Sequence, residues 1–354
     1  MINLIHIVGN RPQFIKLWVL YLELSKNKNI NQIIVHSGQH YSTELNDIFF
    51  KQLDLPNPDY QLKIKAGISV DEFIGETSAQ LQSIFKKYNN TIALVYGDTN
   101  TTLAAALAAK RTHTMLHHFE AGVRTSDTSM PEEINRVLTD RLADVNYCCT
   151  QKNYDTLIAE GYTKAIGSKA FITGDLMLDA YKKASYLHIP KQFDGKYIAA
   201  TIHRVDNILQ IENLVQITEA LNTIHQLIPV KLPLHPHTRK KMEEFGISAK
   251  FDILNPMDYF SMHQFINHAE IVITDSGGVS REAFFAHKKS IIIMPDPFWS
   301  EIIDAGCGIK SIAEKDTILK HFNAINNLSS HFDTPIFGNG NAAQAIHQII
   351  NSLI

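Results

Sequence analysis

The chain has 354 residues, 45% hydrophobic and 19% charged, a globular mixture that excludes a disordered or fibrous protein. Thirty-three Lys and Arg against 36 Asp and Glu leave a formal net charge of −3, the wrong balance for a broad electrostatic nucleic-acid binder. The length favours two domains; the three cysteines, Cys148, Cys149 and Cys307, form neither a disulfide framework nor a zinc-finger spacing, and no apolar run reaches the ~18–20 residues that span a bilayer. A cytoplasmic protein with no membrane insertion is therefore expected.

Residues 2–8 read as a first strand and not as a signal peptide, because the run is short, lacks a charged leader and ends in Gly9-Asn10-Arg11-Pro12. Gly9 permits a tight turn and Pro12 suits the first turn of a helix over 12–26, where Arg11 and Lys16 supply cations fit for a phosphate. An ordinary strand-to-helix turn with solvated charges fits that segment equally. A strand at 31–36 and a helix at 71–88 follow, then a strand at 91–96 that runs into Asp98 and a helix over 100–111. The strand at 114–119 carries His117-His118 and ends at Glu120; Glu132 and Glu133 open a helix over 132–142. A lone acid at a helix start is usually a cap or a dipole partner. Carboxylates at three such places along one sheet edge, Asp98, Glu120 and Glu132–Glu133, fit acid–base chemistry better.

Strands at 145–148 and 170–173 close the first half near Phe171–Asp175, and residues 176–196, with Pro190 and Gly195, suit a connecting helix and hinge. A second series begins with a strand at 197–202, followed by His203-Arg204, a helix at 210–227, a strand at 229–234 and His235-Pro236-His237. Strands at 251–254, 270–274 and 290–294 complete it. After 270–274 comes Asp275-Ser276-Gly277-Gly278-Val279, whose glycines let backbone N–H groups approach an anion and whose Ser276 adds a hydroxyl. The plain alternative is a glycine-rich turn held by an Asp cap. Glu282, farther along, could take a ribose diol.

Unbroken apolar strands alternating with helices predict α/β units with parallel sheets, built twice: two Rossmann-like, doubly wound domains facing a cleft. The 17 histidines lack an H-E-x-x-H motif or a cysteine at zinc spacing, so no metal is expected; His188, His225 and His347 read as surface or packing residues.

Together the segments GNRPQFIK (9–16), SGQH (37–40), YGDTNTTLAAALAA (96–109), FEAGVRT (119–125), MPEEINRVLTDRLAD (130–144), TGDLMLDA (173–180), TIHRVDN (201–207) and TDSGGVSREA (274–283) resemble the non-hydrolysing UDP-N-acetylglucosamine 2-epimerase family. HSGQHYSTELNDIFF, LPNPDY, ATIHRVDN and PLHPHTRK look closest to its members acting on UDP-2,3-diacetamido-2,3-dideoxy-glucuronic acid. The resemblance implies a GT-B-like pair of domains at 1–174 and 175–340, with 341–354 a C-terminal helix returning to the first. It implies a homodimer in polysaccharide biosynthesis, no cofactor, and C2 inversion of a UDP-2-acetamido sugar by anti elimination of UDP and re-addition through a 2-acetamidoglucal. Asp98, Glu120, Glu132 and His203 would be catalytic. Arg11, Lys16, Gln39, Arg136, His235, Ser276, Gly277, Gly278 and Glu282 would bind substrate. After the 290–294 strand the family carries Arg-Asp-x-Thr-Glu-Arg or -Trp, whereas here Met294, Pro297 and Phe298 replace the Arg, Thr and Glu, and Trp299 remains. Phe298 or Trp299 would then stack uracil. The competing readings are a hydrolysing 2-epimerase, a glycosyltransferase of the same architecture, and a non-catalytic nucleotide-sugar binder.

Overall fold

The computed structural model describes residues 1–38, 50, 52–125, 127–187 and 189–353. The chain divides into two compact units, Met1–Lys182 with Phe337–Ile354, and Lys183–Ile336. In the first, the described elements are β1 (Ile2–Val8), α1 (Arg11–Leu24), β2 (Ile30–His36), β3 (Tyr60–Gln61), α2 (Val70–Phe85), β4 (Thr91–Tyr96) and α3 (Asn100–Arg111). They continue as β5 (Met115–Phe119), α4 (Pro131–Leu142), β6 (Val145–Cys148), α5 (Gln151–Ala159), α6 (Tyr162–Ala165), β7 (Lys169–Ile172) and α7 (Leu176–Ser185), within which the join falls. The second unit holds β8 (Ile198–Thr201), α8 (Val205–Ile208), α9 (Ile211–His225), β9 (Val230–Pro233), α10 (Pro236–Glu244), β10 (Asp252–Leu254) and α11 (Tyr259–Asn267). Its remainder is β11 (Ile271–Thr274), α12 (Gly277–Phe285), β12 (Lys289–Ile293), α13 (Ser300–Asp304), β13 (Gly308–Ser311) and α14 (Lys315–Ala324); α15 (Ala342–Leu353) belongs to the first unit.

Both sheets are parallel. The first runs β3-β2-β1-β4-β5-β6-β7 and the second β10-β9-β8-β11-β12-β13. Counted from its own first strand, each follows the doubly wound order 3-2-1-4-5-6, with a seventh strand added in the first, and reverses direction beside the first strand to leave a crevice beyond the carboxyl ends there. The expected α/β class is therefore observed in each unit. The strand expectations differ by a residue or so at their ends, and β3 and β13 are additional. The apolar runs earn their burial: Leu4, Ile5, Ile7 and Val8 of β1, and Ile271–Ile273 of β11, lie under helices on both faces.

The joins lie later than the expected 174/175 and earlier than the expected 340/341 for a local reason. The Asp175 amide donates to Phe337 O at 3.0 Å, and the Asp179 carboxylate accepts the Ala342 and Ala343 amides at 3.0 and 2.8 Å. These bonds satisfy amides of the first turn of α15 and keep 175–182 with the first unit. Burial raises the Asp179 carboxyl from 3.8 to about 6 and outweighs the amide bonds that oppose it. A raised carboxyl contributes stability that is complete below its unfolded pKa and is lost as pH rises through the folded one. The unfolding free energy of the parent minus that of Asp179→Asn should therefore fall by roughly 2–3 kcal/mol between pH 4 and pH 7. Urea titrations of both proteins across that range check it; a difference that is flat or rises with pH contradicts the assignment.

Candidate active site

In the first unit the turns at the strand ends carry the candidate groups. Asn10 caps α1 by accepting the Gln13 amide at 3.2 Å. The Gln13 side chain, 1% exposed, accepts the Gly9 amide at 2.7 Å and donates to Tyr96 O at 2.7 Å. It therefore fastens the end of β1 to the end of β4, where the strand order reverses. One turn farther along α1, buried Lys16 pairs with Glu120. Glu120 holds φ at +70°, a left-handed conformation costing about 1–3 kcal/mol for a residue with a side chain. The turn is anchored because the Glu120 and Ala121 amides both donate to Tyr147 O, at 3.1 and 3.0 Å. Gly122 follows at φ +80°, where a Cβ would sit 2.2 Å from Asn153 O, so only glycine fits.

Asp98 follows β4 and pairs with Arg136 of α4. The same guanidinium donates to Glu133 Oε2 at 2.9 Å, and Glu133 also accepts the Thr125 amide at 3.1 Å. Asn135 donates to Asp98 O and Asn100 Oδ1, each at 3.0 Å. Burial works to lower the Arg136 pKa, but the carboxylates of Asp98, Glu133 and Glu120 outweigh it and hold it above its ordinary value. Lys16, Glu120, Tyr147, Cys149 and Asp175 line one hollow. Glu120, Cys149 and Asp175 present ligand atoms within 4.8 Å of one another, but Lys16 already supplies positive charge to Glu120.

In the second unit Asp275 organises the switch point. Its fully buried carboxylate accepts the His203 amide at 3.0 Å, the Arg204 amide at 2.9 Å and Asn207 Nδ2 at 3.1 Å, and lies 3.3 Å from His203 Nδ1. It binds the segment after β8 to the end of β11 and leaves the His203 ring half exposed. Ser276 caps α12 by accepting the Val279 amide at 3.3 Å. Gly277 and Gly278 open that helix, where N–H groups find no helical carbonyl and suit an anion. The Phe298 ring closes on Gly277, and the Arg204 guanidinium carbon lies 5.7 Å from its centroid.

Comparison with known proteins decides the family. The family model described as UDP-N-acetylglucosamine 2-epimerase matches residues 22–351. The UDP-2,3-diacetamido-2,3-dideoxy-D-glucuronate 2-epimerase of Pseudomonas aeruginosa is 36% identical, covering 99% of this chain and all of that one. The chain belongs to the UDP-N-acetylglucosamine 2-epimerase family. It is thus an enzyme, an epimerase of the isomerase class. The crystal structure of the Methanocaldococcus jannaschii UDP-GlcNAc 2-epimerase in complex with UDP-GlcNAc and UDP matches with a TM-score of 0.88 at 31% identity, over 99% of this chain and all of that one. The Neisseria meningitidis enzyme bound to UDP-GlcNAc matches with a TM-score of 0.87 at 25% identity, over 99% and 100%.

Within this 2-epimerase family member, Asp98 with Arg136, and Glu120 with Lys16, are brought together in pairs. Arg11 is the first residue of α1. Glu132 is exposed, and it is the neighbouring Glu133, named with it as a candidate carboxylate but not in the catalytic set, that joins Arg136 and Asp98. Glu282 is 9% exposed on α12. His235 is exposed and caps α10, accepting the His237 amide at 3.2 Å. Trp299 is 2% exposed with the Arg281 guanidinium 4.4 Å from its ring centroid. Trp299 is therefore a packing residue, and the half-buried Phe298 packs on Gly277 with Arg204 over its own ring. Gln39 and His188 lie outside the described residues. Gln13, His118 and Asp140 carry organising roles that sequence reasoning does not single out, while Asp275, expected as a cap of its own turn, also holds the segment after β8. Gln13 and Asp140 lie inside helices and His118 inside β5, so no motif marks their roles. No helix of the described residues is long and apolar enough to cross a membrane.

Asp275→Ala would take the carboxylate from two part-buried amides and from Asn207, so the second unit should lose about 3 kcal/mol. In a Trp18→Phe background Trp299 fluorescence reports that unit alone during urea unfolding. A loss below about 0.5 kcal/mol would remove Asp275 from its organising role.

Proposed function

We propose that the enzyme inverts C2 of a UDP-2-acetamido sugar without net hydrolysis, the sugar being UDP-N-acetylglucosamine or its diacetamido uronic acid analogue. The observation that carries the reading is the pair of carboxylates at the ends of adjacent strands, Asp98 after β4 and Glu120 after β5, each held by its own buried cation. A C2 hydrogen is weakly acidic, so its removal needs a positioned base and a stabilised leaving group. In the forward half, a carboxylate takes the C2 proton, the C–H electrons form the C1–C2 double bond, and the C1–O bond breaks toward the diphosphate. In the return half, a carboxylate on the other face protonates C2 and the diphosphate oxygen re-adds to C1. Two faces require two acid–base positions, which Asp98 and Glu120 supply, with exposed Glu132 beside the entrance of α4. Arg11, Lys16, Arg136, His203 and the amides of Gly277 and Gly278 would hold the diphosphate, and Glu282 the ribose. We assign the protein to surface-polysaccharide precursor synthesis, as a homodimer.

Incubation with each UDP-sugar in D₂O, followed by NMR, tests this. Deuterium at C2 with the manno epimer supports the reading; free sugar accumulating with UDP supports the hydrolysing alternative; binding without exchange contradicts both. Asp98→Asn and Glu120→Gln should keep UDP affinity while exchange falls by about 10³-fold or more. Exchange at the parent rate in both variants overturns the carboxylate assignment.

A further inference from the structure

Beneath the two carboxylate-bearing turns lies a buried pair that the proposed chemistry does not use. The side chains of His118 and Asp140 are both fully buried. His118 Nε2 lies 2.7 Å from Gly97 O, a carbonyl that only accepts, so that nitrogen donates. Its Nδ1 lies 2.7 Å from Asp140 Oδ1. The other Asp140 oxygen accepts the Gly122 amide at 3.1 Å and Arg124 Nη1 at 2.7 Å. Three segments thus meet at two side chains: the turn before Asp98, the turn after Glu120, and helix α4, which carries Arg136.

The places where the pair attaches explain its effect. Gly97 O belongs to the peptide whose nitrogen is that of Asp98, so fixing this carbonyl fixes the plane from which the Asp98 side chain departs. Glu120 holds φ at +70°, a conformation that a residue with a side chain keeps only where surrounding bonds over-determine it, and the flanking Gly97 and Gly122, at +66° and +80°, let the chain turn there without strain. A buried ionisable pair is seldom better for stability than apolar residues of the same size. Its position between two reacting groups therefore calls for another account. His118 and Asp140 bond Gly97 and Gly122, in the turns that carry Asp98 and Glu120, and do not line the hollow beside Glu120.

We infer that His118 and Asp140 are positioning residues for the epimerisation proposed above, setting the distance and aim of Asp98 relative to Glu120. The inference rests on that reading of the activity. Misplacing a reacting group by about 1 Å costs on the order of 100-fold in rate. Loss of the pair should thus appear in kcat and leave UDP binding alone.

The experiment compares His118→Gln, His118→Asn and Asp140→Asn with the parent for C2 exchange, UDP affinity and thermal unfolding. Glutamine places its amide near the position of Nε2 and keeps a donor for Gly97 O, whereas asparagine keeps only the Asp140 side. His118→Gln should retain kcat within about tenfold, while His118→Asn and Asp140→Asn fall about 100-fold, all with UDP Kd within about twofold. Equal kcat in the two His118 variants, or losses that follow the folded fraction or the UDP Kd, overturn the inference. If Asp140→Asn does not fold, the two His118 variants decide the matter. A parent without C2 exchange refutes the proposed activity, and this inference falls with it; that result is read before any variant is made.

Discussion

Helix α4 turns its charged side inward, and the first unit's site depends on that inversion. Glu133, Arg136 and Asp140 follow one another at spacings of three and four, which places them on one face of a helix. All three are buried, while Ile134 and Leu138 are 48% and 43% exposed. The face grips the protein at each turn: Glu133 through Thr125, Arg136 through Asp98, Asp140 through His118, Gly122 and Arg124. Removing one member would strand its partner's charge in a dry environment, which costs more than the pair contributes, so these groups persist as a set. Asp140 shows the balance. Burial would raise its carboxyl, yet His118 and Arg124 together hold it below its ordinary value.

The second unit solves the same problem with a different residue. Where a doubly wound sheet reverses direction, two adjacent strand ends diverge and their following turns need an anchor. In the first unit Gln13 provides it, accepting from Gly9 after β1 and donating to Tyr96 at the end of β4. In the second Asp275 provides it, accepting two amides after β8 from its own place after β11. A neutral amide suffices where a donor and acceptors must be met together. A carboxylate is needed where every partner is a donor. The residue chosen follows from the polarity of the turn it serves.

The parallel strands were legible because burial on both faces leaves long apolar runs, and β1, β4 and β11 fall where those runs do. The two-residue β3 carries no such run, and β13, Gly308–Ser311, holds a lysine in only four positions, so neither declared itself. The site was legible as a set of strand-end residues and less so as pairings. Hydrophobic spacing alone turns Ile134 and Leu138 inward, which would have sent Arg136 and Asp140 to solvent. With that face reversed, Glu133 becomes the buried acid and Glu132 the exposed one, a difference that two adjacent glutamates cannot announce. Trp299 misled for a related reason. An aromatic in a binding loop reads as a stacking surface, but here Arg281 occupies that ring face.

Gly277 illustrates how one residue can satisfy two demands that sequence cannot separate. A glycine after a strand, opening a helix, fits close approach of a phosphate to backbone N–H groups. In this chain a Cβ at 277 would also lie 2.4 Å from Phe298 Cδ2, in the segment where the sequence departs from the family pattern. The ring that replaces a polar donor there reaches the helix start because the glycine has no side chain. Arg204, held by its amide to Asp275, places its guanidinium over the same ring. The departure is therefore accommodated by its surroundings, with Gly277 and Arg204 both placed against the Phe298 ring.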